Sequence, residues 1–365
     1  MTSEPFDTPA RTPETSVVES VGGLDELRGP WSDLAAASGN VFATWEWAAT
    51  WWRLHGRDGR LLLHTCREAD GRVAALLPIY LWKRRPFRVA RFLGHGPADQ
   101  LGPVCAPSDR PRAAEALRCF VGEAQLDLLL AELLPVREGW SAALGTRPLR
   151  MESSPTLSLE SGWEAYLAGR SSNLRQQVRR RERRLADRYV VRFRLASDPN
   201  RLHDDLTQLL ALHLARWGAG SAFTRWEAFH REFATVALER GWLRLWFLEL
   251  DGRPAAAWYG FRFEGVESYY QAGRDPGRSD ESVGFVLLAH SIREAAHDGV
   301  REYRFLRGGE PFKLRFADED AGLETLALGR GAKGGIAAAL AAAGLRSDVL
   351  RSMLRRVADR PGARA

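Results

Sequence analysis

The sequence predicts an α/β chain, mixed α+β in character, made of two tandem domains that each hold a mixed central sheet flanked by helices. Three observations predict it. The chain has 365 residues, 45% hydrophobic and 27% charged, an ordinary globular composition at a length that suggests about two domains. Phe42, Trp45 and Glu46 recur as Phe223, Trp226 and Glu227, each 181 residues later, and Asp70-Gly71-Arg72 and Ala74-Ala75 recur at the same offset as Asp251-Gly252-Arg253 and Ala255-Ala256. One offset holding across a helix start and a downstream turn marks a duplication; the plainer alternative is two unrelated hairpins that share the favoured Asp-Gly turn. Finally, both halves follow one order of elements.

In the first half, Ser16–Val21 reads as a strand, 24–37 and 45–55 as helices, and 61–67, 73–82 and 88–93 as strands. A helix at 110–121 and a strand at 126–130 complete it. In the second half, Tyr189–Leu195 alternates like a strand and helices follow near 200–217 and 225–240, the latter stopped by Gly241. Leu243–Leu250, Ala255–Phe263 and Val266–Ala272, separated by Asp251-Gly252 and Glu264-Gly265, read as an antiparallel meander. Phe285, Leu288, Ala289, Ile292 and Ala296 mark one face of a helix, with Ser282 or Asp280 as its N-cap. Glu302–Leu306 is a short strand, 310–317 a helical turn and Leu323–Leu328 a last strand. The expected organisation is a disordered stretch at 1–14, a first domain over 15–134, a connector over 135–156, a second domain over 157–330 and a basic helical tail over 331–365.

Composition excludes several classes. Mean hydropathy is −0.30, and the most apolar stretch, Ile336 to Leu345, is half of what a bilayer span needs. The polar first sixteen residues lack the apolar core of a secretory signal, and three cysteines (Cys66, Cys105, Cys119) neither build a disulfide framework nor match zinc spacing. A cytoplasmic protein is expected. Of 52 basic residues only Lys83, Lys313 and Lys333 are lysines. An arginine excess of this kind is a poor argument for a polyanionic partner, whereas a surviving lysine points to a need for a compact, titratable ammonium.

Three stretches resemble the GNAT acyltransferase superfamily, specifically its double-domain branch of cellulose-biosynthesis-type acetyltransferases, related to the Fem-type peptidyltransferases. Phe42-Ala43-Thr44-Trp45-Glu46-Trp47 with Trp51-Trp52 is similar to that branch's opening helix. Ser282-Val283-Gly284-Phe285-Val286-Leu287-Leu288 is similar to its Ser-Pro-Gly helix start. Phe305-Leu306-Arg307-Gly308-Gly309-Glu310-Pro311-Phe312-Lys313 is similar to its Arg-Gly-Asp-Glu-Pro-Tyr-Lys segment, the most specific of the three. Arg304 stands where the family usually has an acidic residue, and Gly309 replaces its aspartate. The superfamily's pyrophosphate signature is approached only by Arg274-Asp275-Pro276-Gly277-Arg278-Ser279.

The resemblance implies acyl-CoA, acetyl-CoA above all, as co-substrate, and two tandem GNAT-like domains of which the first has lost the cofactor. A helix N-terminus at 282–285 offers free N–H groups and a favourable dipole to phosphates. Arg278, Ser282, Val283, Gly284 and Phe285 are therefore the cofactor-binding candidates; the bland alternative is a capped surface helix. Glu310 and Lys313, spaced i, i+3, share a face, Glu310 to take the proton of an amine and Lys313 to neutralise an oxyanion or phosphate; the alternative is a surface ion pair. Tyr270 is the third catalytic candidate, with Gln271 beside it, although alternation sends Tyr270 to the face opposite Tyr269 and Gln271. Trp45, Asp99, Gln271 and Arg307 are the substrate-binding candidates, Asp99 for an acceptor amine. No metal is expected, since no His, Cys, Asp and Glu cluster has ligand spacing.

The arginine run from Arg175 to Arg194, most of it on a helix over 172–188, reads as a solvated face, and no aromatic residue interrupts Arg175–Arg188 to stack single-stranded RNA. The tail fits packing on a neighbour, with peripheral membrane contact as the alternative. The functional expectation is transfer of an acyl group from acyl-CoA to an amine or hydroxyl of a small molecule, saccharide or cell-envelope precursor. The alternatives are a Fem-type transferase using aminoacyl-tRNA and a non-catalytic scaffold. No DNA partner is expected.

Overall fold

The computed structural model describes residues 14–18, 21–83, 86–218 and 221–358; the expected disordered stretch at 1–14 lies, but for Glu14, outside them. Among the described residues fifteen strands form two sheets. The chain lays down β1 (Glu14–Val18), β2 (Gly59–Arg67), β3 (Val73–Lys83), β4 (Arg88–Phe92), β5 (Val104–Cys105), β6 (Leu128–Pro135) and β7 (Arg150–Glu152) in the first sheet. It then builds the second from β8 (Pro155–Ser158), β9 (Val191–Leu195), β10 (Leu243–Leu250), β11 (Arg253–Phe263), β12 (Val266–Arg274), β13 (Glu302–Arg304) and β14 (Glu319–Asp320). Last, β15 (Leu323–Gly329) returns to the first sheet between β6 and β7.

The duplication is visible in the strand orders. The first sheet runs β1-β2-β3-β4-β6-β15-β7 and the second β9-β10-β11-β12-β13-β8-β14. Each is an antiparallel meander followed by one parallel pair, β4 with β6 and β12 with β13, then an antiparallel neighbour. That neighbour is supplied across the duplication. Leu323–Leu328, expected as the last strand of the second half, completes the first sheet, and β8 at the end of the expected connector completes the second. The rest of that connector is also structured, holding helix Trp140–Leu144 and β7.

The repeated motif opens matching helices, Trp45–His55 and Glu227–Glu239, which pack on each other. Trp47, fully buried, lies with ring centroids 4.7 Å from Phe229 and 4.6 Å from Phe233. One apolar core therefore runs through both halves, while a second fills the space between the second sheet and helix Val283–His297. The repeated Asp-Gly turns differ in form. Asp251 and Gly252 both have positive φ (50° and 77°), as a two-residue type I′ hairpin requires. In the first copy only Gly71 does, in a longer loop closed by Glu68 N–H on Arg72 O. The tail forms one helix, Gly331–Ala358, whose Ala337 packs on Leu128 and Leu130. Among the described residues no helix is long and apolar enough to cross a membrane.

Candidate active site

The site forms where β12 leaves its neighbours. β12 pairs with β13 only from Val266 to Ser268, and beyond that it runs on to Arg274 with a wedge open beside it. On its other edge the register against β11 slips: Gln271 faces Tyr259 but Tyr269 faces Gly260, so Tyr270 is an extra, bulged residue. The bulge puts Tyr270 on the face of Gln271, toward the common core, and leaves Tyr269 on the opposite face, and Tyr269, Tyr270, Gln271 and Ala272 all border one cavity. Gly260 makes this arrangement possible, because a Cβ there would lie 2.0 Å from Ser268 O.

Two cavities meet in the wedge, sharing Arg216, Tyr269, Ala272 and Phe312. The first, about 210 Å³, runs along the start of helix Val283–His297 and is lined by Ser282, Gly284 and Phe285 with Arg181 and Arg274. Ser282 stands at the N-cap with φ 58°, and no side chain caps the helix. Its first N–H groups and its dipole are thus available to an anion. Arg181, from helix Ser172–Ala186, stacks 4.3 Å over Phe285. Two expected cofactor residues are placed otherwise. Arg278 turns onto the ring of Tyr189, 4.9 Å away. Val283 is fully buried in the core, so only its backbone can face a ligand. The arginines of this cavity alone are Arg181 and Arg274 instead, with Arg216 at its junction with the second cavity. Arg181 had a signal: it lies three residues after Val178 and four before Leu185, on the buried stripe of its helix, so the run is not wholly a solvated face.

The second cavity, about 200 Å³, gathers most of the other expected residues: Asp99, Tyr270, Gln271, Arg307, Glu310 and Lys313. Lys313, on the short helix Pro311–Phe316, is buried; its Nζ donates to Arg307 O at 2.6 Å and sits 3.0 Å from Glu310 Oε2. Glu310 folds back over Gly308 (φ 110°), where a Cβ would come within 2.6 Å of Oε2. Arg307 Nε donates to Glu152 at 2.6 Å. Burial pushes the Asp99 carboxyl up to about 6, against the opposing pull of Arg307 and Lys313 and a hydrogen bond from the Arg307 N–H.

Tyr270 is held differently from expectation. Its hydroxyl donates to Pro97 O at 2.5 Å, with His230 Nε2 at 3.3 Å, and burial raises its phenol well above the usual range. It ties the Gly94–Asp99 loop of the first half to the second sheet, with its hydroxyl proton directed at Pro97 O. Tyr269 borders both cavities; its ring lies 6.0 Å from Lys313 Nζ, and burial pushes its phenol up to about 12. Trp45 is absent from the cavity. It lies by Arg28, with its Nε1 on Leu24 O, and its repeat-mate Trp226 lines the cavity instead, packed against Gly96.

The departures from the family pattern have structural reasons. Arg304 is buried and reaches Ser38 O, Gly39 O and Gln100 Oε1 of the first half. At Gly309 a Cβ would meet Ser153 Oγ at 2.9 Å, so an aspartate there requires the Ser153 side chain to move. In the first half, Trp140 occupies the corresponding place after β6, fully buried with its Nε1 on Glu138, and the cavity beside it is only about 30 Å³. Among the described residues no group of three or more His, Cys, Asp or Glu could hold a metal ion.

Residues 172–314 match the family model described as acetyltransferase (GNAT) domain. The fold of the whole chain is that of tandem GNAT proteins. FemX superposes with a TM-score of 0.63 at 12% identity, over 87% of this chain and 97% of its own. L-PGS from Bacillus licheniformis superposes with a TM-score of 0.54 at 14% identity, over 89% of this chain and 96% of its own. No curated protein matches by sequence. The chain has the fold of two GNAT-like domains in tandem, and residues 172–314 of its second half match the acetyltransferase (GNAT) domain model.

Proposed function

We propose that the protein transfers an acyl group from an acyl-CoA, acetyl-CoA first among them, to an amine, with the donor in the cavity beside helix Val283–His297 and the acceptor in the cavity around Lys313. The observation that carries the reading is the meeting of these cavities at Tyr269 and Ala272. One ends at an uncapped helix terminus ringed by arginines, as a pyrophosphate needs; the other holds a carboxylate pair and a buried lysine.

The chemistry follows from these groups. Asp99 holds the acceptor ammonium, and Glu310 takes one proton from it, directly or through water. The freed nitrogen bonds to the acyl carbon as the carbon–sulfur bond breaks, and Lys313 Nζ and any unpaired N–H of β12 steady the oxyanion. Tyr269, protonated at neutral pH, gives its proton to the departing thiolate and regains one from the acylated nitrogen. The products are an amide, a free thiol and one proton.

Lys313→Ala is expected to lower turnover by a hundredfold or more while the melting temperature stays near that of the parent. Thermal shift with acetyl-CoA, longer acyl-CoAs and a charged tRNA tests the donor, because a ligand of the folded state must stabilise it. Acyl-CoA is expected to raise the melting temperature and Arg181→Ala to reduce that rise. No shift with any acyl-CoA overturns the reading. A shift with charged tRNA alone favours the second reading, an aminoacyl donor, which the likeness to FemX and Arg181 on an arginine-rich helix support.

A further inference from the structure

The charges around the acceptor cavity can be sorted by whether the protein already satisfies them. Arg307 is paired with Glu152 at 2.6 Å and Lys313 with Glu310 at 3.0 Å. The other two charged side chains of the lining are Asp99 and Arg216. Among the described residues neither makes a salt bridge. Asp99 accepts only the Arg307 backbone N–H, and the Arg216 guanidinium lies 4.4 Å over the ring of its neighbour Trp217. They come from different parts of the chain. Asp99 closes the loop that Tyr270 pins through Pro97, and Arg216 ends helix Leu202–Trp217. Between them the wall is aromatic, formed by Phe223, Trp226 and Trp217.

An unspent anion and an unspent cation bordering one cavity are costly to desolvate and gain most from a ligand that answers both. A ligand with an amine alone leaves Arg216 without a counter-charge, and a carboxylate alone leaves Asp99 so. The cavity volume of about 200 Å³ equals roughly seven waters at about 30 Å³ each, the scale of one amino acid. We propose that the acceptor is a zwitterion, an α-amino acid or close derivative with an apolar or aromatic side chain. Its ammonium lies at Asp99, its carboxylate at Arg216 and its side chain against Trp226 and Phe223. This rests on the reading of the cavity as the acceptor site and goes beyond it by fixing the acceptor's second charge.

The test is equilibrium binding of L-phenylalanine, phenethylamine and 3-phenylpropionate to the full-length protein, with release of thiol from acetyl-CoA followed in parallel. L-phenylalanine is expected to bind at least tenfold more tightly than either singly charged analogue. Arg216→Gln is expected to bring it down to the level of phenethylamine without changing phenethylamine itself, and Asp99→Asn to bring it down to 3-phenylpropionate. Equal affinity for L-phenylalanine and phenethylamine overturns the proposal, as does no binding by any of the three. It is also overturned if Arg216→Gln weakens acetyl-CoA and leaves L-phenylalanine alone, since Arg216 then serves the donor. Selective binding of L-phenylalanine without thiol release from any acyl-CoA upholds the zwitterion and sinks acyl transfer. Thiol release with phenethylamine equal to that with L-phenylalanine upholds acyl transfer and sinks the zwitterion.

Discussion

At the scale of single residues, Lys313 and Asp99 show how one cavity, the candidate site, is divided between two halves of a chain. The lysine is held by its own segment, through Arg307 O and Glu310, and its rarity in an arginine-rich sequence made it legible. Asp99 comes from the first half and was legible only as a carboxylate in a glycine-rich loop. Trp226 and Arg181 were missed: the first because its repeat-mate Trp45 has the same sequence surroundings, the second because charge hid its place on an apolar stripe. Asp99 carries a testable pH signature. Burial raises its carboxyl from 3.8 to about 6, so between those values the folded state binds more protons than the unfolded one, and stability falls as pH rises. Relative to Asp99→Asn, the parent protein is expected to lose about 2.5 kcal/mol between pH 4 and pH 7, at about 1.4 kcal/mol per pKa unit. Urea unfolding of both proteins across that range measures it, and parallel curves would refute it.

At the scale of elements, hairpins and helices were readable because their signals are local. Asp251-Gly252, Glu264-Gly265 and Gly241 punctuate periodic runs, and the structure breaks where they do. The bulge at Tyr270 was not readable, since one extra residue in β12 leaves no mark on the composition of the strand. Only its partner, Gly260 between Trp258-Tyr259 and Phe261, hints at it. The bulge sets which side chains enter the cavity. A methyl group at residue 260 must displace Ser268 O, and with it the register that sets Tyr270 and Gln271 on one face at the cavity. Gly260→Ala is expected to destabilise the protein by at least about 2 kcal/mol, as backbone clashes in a core do, and to cost activity beyond what the lost stability explains. Gly252→Ala, which strains a hairpin turn far from the cavity, is expected to destabilise without changing turnover of the folded fraction. Denaturant melts with specific activity per folded molecule separate the two; equal loss of specific activity in both would refute the role of the bulge.

At the scale of the molecule, the duplication does not give two separable domains. The offset of 181 residues pointed to two copies side by side, whereas the sheets show each copy completed by a strand from beyond the other. No local pattern could reveal this, because β8 and β15 look alike whichever sheet they join. Polar ties reinforce the exchange: Arg304 on Ser38 and Gly39, Arg137 on Glu302, Arg240 on Glu46 and Tyr270 on Pro97. With a core common to both halves, unfolding either copy strips a strand and an apolar wall from the other. The full chain is therefore expected to unfold in one calorimetric transition with equal calorimetric and van't Hoff enthalpies, despite a length at which two-domain chains commonly show two. Cutting before β15, at residue 322, is expected to destabilise the first sheet and, through the Gly94–Asp99 loop, to weaken acceptor binding at a site β15 never touches. Two resolved transitions, or a truncated chain that keeps its acceptor affinity, would show that the halves stand alone and that the exchanged strands only decorate them.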